Sequence, residues 1–298
     1  MNLGLLGRRW QRRRAGGAQD SAREHGQAPP AQHPAASAVS RRRSRARPGG
    51  SRRRPEARGI SIVPVEGLPE IQEGDDLAAL IAERAELQDG DVLVVAQKAV
   101  SKAEGRVVRL ADIEPSDEAR GLAADEDPRR LEVILRESKR IVRTRPPLVI
   151  AETRHGFVCA SAGVDASNAP EPEMVVLLPD DPDASAARLR EHLRELTGTE
   201  IGLIVSDSFG RPWRQGTTDV AIGVSGIRPL LDLKGERDTA GYELHATVIA
   251  VADELAAAAE LVLGKTSGIP AAVIRGAAVA GEGSARDLVM PAERDLFR

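Results

Sequence analysis

Three short apolar runs stand out along the chain: residues 91–96 (DVLVVA), 201–205 (IGLIV) and 271–274 (AAVI). Each is too short for a globular helix and too continuous for a half-exposed strand, so each predicts a strand buried on both faces. Residues 60–65 instead alternate, and they carry Pro64, which a sheet tolerates only at its edge. An extended turn, Leu68-Pro69-Glu70-Ile71, follows. Helical spacing places Leu77, Leu80, Ile81 and Ala85 on one face behind a cap at Asp75-Asp76. It does the same for Leu131, Ile134 and Leu135 behind Asp127-Pro128, with Lys139 and Arg140 as a basic helix end. A helix over 185–196 is capped by Asp183 or a neighbour. The longest helix is predicted over 245–263, with Gly264 as its stop. Residues 148–153 and 157–160 bracket Arg154-His155-Gly156 as a hairpin, and 174–178 and 220–224 read as further strands. Gly210, Pro212 and Gly216 predict a loop after Ser206-Asp207-Ser208, and residues 232–242 form a charged stretch without a period. Strands alternating with helices predict an α/β class with mixed α+β character.

Composition divides the chain in two. Of its 42 basic side chains, 15 arginines fall in the first 58 residues with only 3 of the 45 acids, so that segment carries +12 and the remaining 240 residues −15. Residues 1–58 are Arg, Ala, Pro, Gly and Ser with no apolar period, which predicts a disordered extension preceding an ordered domain over 59–298. A body that acidic is a poor general binder of nucleic acid. The single cysteine, Cys159, excludes an intrachain disulfide and a cysteine zinc cluster. No apolar run approaches the roughly 20 residues of a membrane span, so a soluble, cytoplasmic protein is expected. Aromatics are 2% of the chain, which leaves Val, Ile, Leu and Ala to build the core.

Chemistry concentrates at strand ends. The 201–205 strand delivers Asp207 between two hydroxyls, followed by Arg211, Trp213, Arg214 and Asp219. Carboxylate and hydroxyl oxygens hold Mg²⁺ or Mn²⁺, and arginine forks match phosphate or carboxylate. An Asp–Ser turn leading into a solvated basic loop accounts for the same residues. Lys98 and Lys102 follow the 91–96 strand, either as phosphate point charges or as an exposed pair at a helix start. Asp165 and Asn168 sit three apart in a loop of small residues, as ligand oxygens or as an Asx-turn. Gly281-Glu282-Gly283-Ser284 is a glycine-rich loop with one carboxylate. None of the five histidines forms an HxH or HxxxH pair, and neither GxxxxGK[ST] nor GxGxxG occurs.

Taken in order, Leu68-Pro69-Glu70-Ile71, Val100-Ser101-Lys102, Val164-Asp165-Ala166-Ser167-Asn168 and the block SDSFGRPWRQGTTDVAIG from Ser206 resemble the F420:γ-glutamyl ligase family over about residues 59–298. The resemblance implies a stand-alone homodimeric ligase domain with a family-specific fold of mixed sheets. It implies a GTP-dependent enzyme that adds L-glutamate to coenzyme F420-0, and extends the tail by γ-linkages, through an acyl phosphate, with Mg²⁺ or Mn²⁺ and with K⁺ as activator. By the same resemblance Leu68, Pro69, Glu70, Ile71, Gln97, Lys102 and Asn168 contact the nucleotide. The resemblance also implies that Asp165 and Asp207 hold one metal and Ser208 and Glu282 a second, and the chemistry offers Arg211 and Arg214 as a clamp for either the acyl phosphate or the anionic phosphodiester of F420-0. Gln97 departs from the small hydroxyl residue expected beside the nucleotide, and Met290 stands where arginine is common in the family. Two other classes compete with a ligase: a GTP-binding regulatory module without chemistry, and an RNA-binding protein led by the arginine-rich segment.

Overall fold

The computed structural model of the protein describes residues 59–296, and the arginine-rich segment 1–58 lies outside the described residues. The chain opens with β1 (Ser61–Pro64), α1 (Leu77–Ala82), β2 (Val92–Ala96), α2 (Gln97–Ala103) and β3 (Val107–Arg109). Next come α3 (Asp117–Ala123), α4 (Pro128–Glu137), β4 (Ser138–Arg145), β5 (Leu148–Thr153), β6 (Val158–Ala160) and β7 (Met174–Val176). The remainder is α5 (Pro182–Thr197), β8 (Gly202–Arg211), β9 (Arg214–Ser225), β10 (Leu231–Asp232), β11 (Val248–Ile249), α6 (Val251–Leu263) and β12 (Ala271–Arg275).

Five strands form the main sheet in the order β1-β12-β2-β8-β9. Its centre is a parallel pair, β2 with β8, running in register from Val92 opposite Gly202 to Ala96 opposite Ser206. The other pairings are antiparallel. The three apolar runs become β2, the first half of β8, and β12, where helices α5 and α6 and the neighbouring segments cover both faces. Pro64 sits on β1, an edge strand, as its missing N–H requires. A second apolar cluster joins Leu131 and Ile134 of α4 to Val149 and Ala151 of β5 and to Val175 of β7, beneath the two-stranded β3-β7 and three-stranded β4-β5-β6 sheets. The class is thus mixed α/β with several sheets.

Helix caps follow the sequence closely. Asp76 accepts from the Ala79 N–H at α1, and Asp127 accepts from the Arg129 N–H at α4 with Pro128 at the first turn. At α5 the cap is Asp181 rather than Asp183. Asp183 serves the tertiary fold instead, its carboxylate accepting from the Val224 and Ala285 N–H groups and from the Ser284 hydroxyl.

Three expectations need correction. Lys139 and Arg140 do not end a helix: α4 stops at Glu137, and both side chains extend from β4 to the buried Glu152 of β5 at 3.0 and 2.7 Å. The loop expected after Ser208 is a β-hairpin, since β8 runs on to Arg211 and pairs with β9 up to Arg211 opposite Arg214, with only Pro212 and Trp213 at the tip. The helix expected from His245 begins at Val251, because residues 248–249 pair as β11 with β10, and α5, not α6, is the longest helix. His192 lies on α5 as expected, whereas His245 lies outside the helices, six residues before α6 begins.

The packing of α5 on β9 leaves no room at Gly223, where an added Cβ would lie 2.2 Å from the Pro182 carbonyl oxygen. Because the clash is with backbone, relief requires the helix start to move. Gly223→Ala should therefore lower stability by about 1–3 kcal/mol, read as a fall in the urea midpoint at constant m-value. An unchanged midpoint would show that the α5–β9 contact yields freely.

Candidate active site

The carboxyl ends of the parallel strands β2 and β8 point to one edge, and the chain brings four separate segments there. From β2 the chain turns directly into α2, so Gln97, Lys98 and Lys102 stand at this edge. From β8 it continues through Ser206, Asp207 and Ser208, and β9 returns Asp219 opposite Ser208. Because β12 is antiparallel to β2, its start also lies here, with the Ala96 N–H donating to the Pro270 carbonyl at 2.8 Å. The end of α6 and residues 264–270 are thereby delivered to the same place. Between these segments lies a cavity of about 540 Å³, bordered also by Pro69, Glu70 and Ile71 and by Asn168. This is the crevice at strand carboxyl ends where open α/β sheets bind ligands.

One wall is basic. The Lys98 ammonium donates to Asp165 at 2.6 Å and to the Ser167 carbonyl at 2.9 Å, and Lys102 is ion-paired with Glu70. The lysine side chains are only 15% and 6% exposed, which rules out a solvated surface pair. Burial raises the Asp165 carboxyl, but Lys98 and the Ser167 N–H and hydroxyl together hold it below the usual range. Gln97 is 1% exposed; its Oε1 accepts from the Ser101 hydroxyl at 2.8 Å, while its Nε2 finds no partner among the described residues.

The opposite wall is acidic. Asp219 is buried, and its carboxylate accepts from the Ser206 hydroxyl at 2.9 Å and from the Ser208 hydroxyl. Asp207 is half-buried as a residue, yet burial pushes its carboxyl up to about 7, against the lowering effects of the Ser208 N–H, Lys265 and Lys98. Burial, followed by the charge of Asp219, also raises Glu260 of α6. Cys159 lies close enough to Asp207 to feel its charge, and burial first and that charge second push the thiol up to about 12, which leaves it inert.

The cavity thus unites Pro69, Glu70, Ile71, Gln97, Lys98, Lys102, Asn168, Ser206, Asp207, Ser208 and Asp219 of the residues singled out by sequence, with Asp165 held at its margin by Lys98 and Leu68 packed partly buried against the core. It does not gather the others. Glu282 is exposed in a loop packed against Arg228 and Pro229, and Arg211 and Arg214 flank the tip of the β8–β9 hairpin, where Arg211 donates to the Gln215 carbonyl. Met290 borders a separate apolar hollow with Phe157 and Phe209. Glu260 and Lys265 were missed by sequence reasoning. The available signal was a carboxylate on the alanine-rich face of α6 and a Gly-Lys-Thr-Ser-Gly segment just before an apolar strand.

A divalent cation suits these donors. The carboxylates of Asp207, Asp219 and Glu260 and the hydroxyls of Ser206 and Ser208, all along the cavity lining, are oxygen donors of the hard kind that Mg²⁺ and Mn²⁺ prefer. Among the described residues no three His, Cys, Asp or Glu side chains converge closely enough to hold an ion unaided. Phosphate oxygens and water complete most Mg²⁺ shells, so such a site is finished by its ligand. Among the described residues no helix is long and apolar enough to cross a membrane.

Comparison with known proteins agrees with the motif resemblance. The family model described as F420-0:Gamma-glutamyl ligase matches residues 67–276. The coenzyme F420:L-glutamate ligase of Methanopyrus kandleri is 49% identical over 251 residues, covering 80% of this chain and 99% of that protein. The proteins of the same name from Methanothermobacter thermautotrophicus and Methanocaldococcus jannaschii are each 46% identical, over 80% and 82% of this chain and 99% and 98% of theirs.

The raised Asp207 carboxyl has a consequence for stability. Its folded pKa lies above the unfolded value, so between about pH 4 and 7 the folded state binds the proton more tightly and stability falls as pH rises. In chelator, the melting temperature of the wild type relative to Asp207→Asn should therefore drop from pH 5 to 7.5, and Mn²⁺ added together with GTP should stabilise only the wild type. Parallel pH curves for the two proteins would show that the carboxyl is not desolvated.

Proposed function

The chain belongs to the F420-0:γ-glutamyl ligase family, and we propose that it joins the amino group of L-glutamate to the carboxyl group of coenzyme F420-0, in coenzyme F420 biosynthesis, at the expense of GTP. The observation that carries this reading is the two-walled cavity, with lysines on α2 facing carboxylates from β8, β9 and α6. A nucleoside triphosphate and a carboxylate acceptor are both anions, and a basic wall is needed to hold them, while an acidic wall suits the cations that neutralise phosphate.

Amide formation needs an activated acyl group, because a carboxylate expels oxide too poorly to react with an amine at neutral pH. In the first step a carboxylate oxygen of F420-0 bonds to the terminal phosphorus of GTP. The bond from that phosphorus to its bridging oxygen breaks, and GDP leaves. In the second step the glutamate nitrogen bonds to the acyl carbon, the carbon–oxygen bond to phosphate breaks, and inorganic phosphate and a proton are released. Repetition at the γ-carboxyl of the added glutamate extends the tail.

Lys98 and Lys102 serve as point charges for the nucleotide phosphates, exchanging Asp165 and Glu70 for phosphate oxygens. Residues 68–71 and Asn168 border the nucleotide, and Gln97 has a free amide N–H to offer it. Asp207, Asp219 and Ser208 would hold Mg²⁺ or Mn²⁺, with Asp165 joining them once Lys98 turns to phosphate. A divalent ion bound there supplies charge neutralisation during in-line phosphoryl transfer. Glu260 takes the place on this wall that the resemblance gave to Glu282. Arg211 and Arg214, out on the hairpin, suit the anionic phosphodiester of F420-0 reaching past the cavity rather than the reacting phosphate. The proposal extends to K⁺ as an activating ion and to a homodimeric, cytoplasmic enzyme.

Mass spectrometry of F420-0 incubated with the protein, GTP, Mn²⁺ and glutamate should show added glutamyl units and GDP. Absence of both, with the protein folded, would end the ligase reading, and equal product with ATP would correct the nucleotide. Lys102→Ala should weaken GTP binding about tenfold or more, the loss of a charge-assisted hydrogen bond of roughly 1.5–3 kcal/mol. Calorimetry giving the wild-type affinity would remove Lys102 from the phosphate site.

A further inference from the structure

Three lysines border the cavity, and two are already held by carboxylates, Lys98 by Asp165 and Lys102 by Glu70. The third, Lys265, is exposed and, among the described residues, makes no hydrogen bond or ion pair. Its position follows from topology. Helix α6 stops at Gly264 and β12 starts beside the end of β2, so residues 264–270 must cross the cavity edge. Gly264 and Gly268, with φ of 56° and 69°, bound the five-residue loop that carries Lys265. The loop lies on the acidic side, and the ammonium is near enough to Asp207 and Glu260 to favour the ionised form of both.

We infer that Lys265 is a catalytic residue whose ammonium contacts the phosphoryl group as it passes from the nucleotide to the acceptor carboxylate. The inference rests on the ligase reading and adds to it a cation of the chain's own on the acidic wall, beside the divalent ion that the reading places there. Phosphoryl oxygens approaching Asp207, Asp219 and Glu260 meet three carboxyl groups, and the lysines of α2 stand on the other wall. A cation on the acidic wall offsets that repulsion where the new phosphorus–oxygen bond forms. Because neither a carboxylate nor neighbouring backbone fixes it, the side chain is free to follow the group across. Lys265 only donates hydrogen bonds, so the balance of both steps is unchanged.

The test compares wild type, Lys265→Ala and Lys265→Arg, full length, in glutamyl transfer with GTP, Mn²⁺, glutamate and F420-0, alongside GTP affinity by calorimetry. Lys265→Ala should lower kcat about a hundredfold, the scale of one lost donor to transition-state charge. GTP affinity should stay within about threefold, since ground-state binding by Lys98 and Lys102 remains, and Lys265→Arg should recover much of the rate. Retained GTP binding also reports that the variants fold. Near-normal kcat in Lys265→Ala overturns the inference alone, as does a GTP affinity that falls as far as the rate, which would make Lys265 an anchor. A wild type that yields no product takes the ligase reading and this inference down together.

Discussion

Everything at the functional edge answers to one electrostatic problem, the placing of Asp207 and Asp219 at the end of a buried strand pair. Like charges in a poorly solvated site disfavour each other's ionisation. The two carboxyls resolve this differently. Asp219 has hydroxyl donors at both oxygens, from Ser206 and Ser208. Asp207 has the Ser208 N–H and distant lysine charges, which do not compensate its desolvation, and its carboxyl rises to about 7. Burial thus leaves one carboxyl of this edge poised between its charged and neutral forms. Strand geometry enforces it: Ser208 stands directly opposite Asp219, and Ser206, two residues earlier on the same face of β8, reaches the same carboxylate from the diagonal position.

Much of the frame was legible because burial writes itself into the sequence. β2, β12 and the first half of β8 are continuous apolar runs, and those are the strands covered on both faces. The caps Asp76 and Asp127 were legible for the same local reason, a short side chain meeting an N–H two or three residues on. The outer β8–β9 hairpin was not. It is held by backbone pairing rather than by burial, so its residues show no apolar period and its glycines and proline read as a loop. Lys139 and Arg140 misled because a basic pair after a helix satisfies the helix dipole, while the stronger demand came from the buried Glu152, a residue of the next strand.

The site divides along a similar line. Asp207, Ser208, Lys98 and Lys102 could be singled out because each follows a recognisable strand, and strand ends are where α/β sheets bind ligands. What the sequence hides is who meets whom. Lys98 finds Asp165 across 67 positions, and Glu260 and Lys265 reach the cavity only because β12 runs antiparallel to β2. Neither fact has a local signature.

The paired lysines also bear on how a polyanionic ligand can be received at all. Stripping water from a lysine is costly, and a cavity with bare buried ammonium groups would be destabilised by them. Here the desolvation of Lys98 and Lys102 is already compensated in the ligand-free chain by Asp165 and Glu70. A phosphate that replaces those carboxylates exchanges one anion for another at each lysine, so the ammonium groups undergo little new desolvation. The displaced carboxylates differ in fate. Glu70 is 65% exposed and returns to water at little cost, whereas Asp165 is 41% exposed and is tied by the Ser167 N–H and hydroxyl beside the acidic wall. Release of Lys98 therefore adds a held, unpaired carboxylate to the region where Asp207 already lacks a counter-charge. If the proposed function holds, nucleotide phosphate and a divalent cation would therefore favour each other's binding through this one exchange of partners.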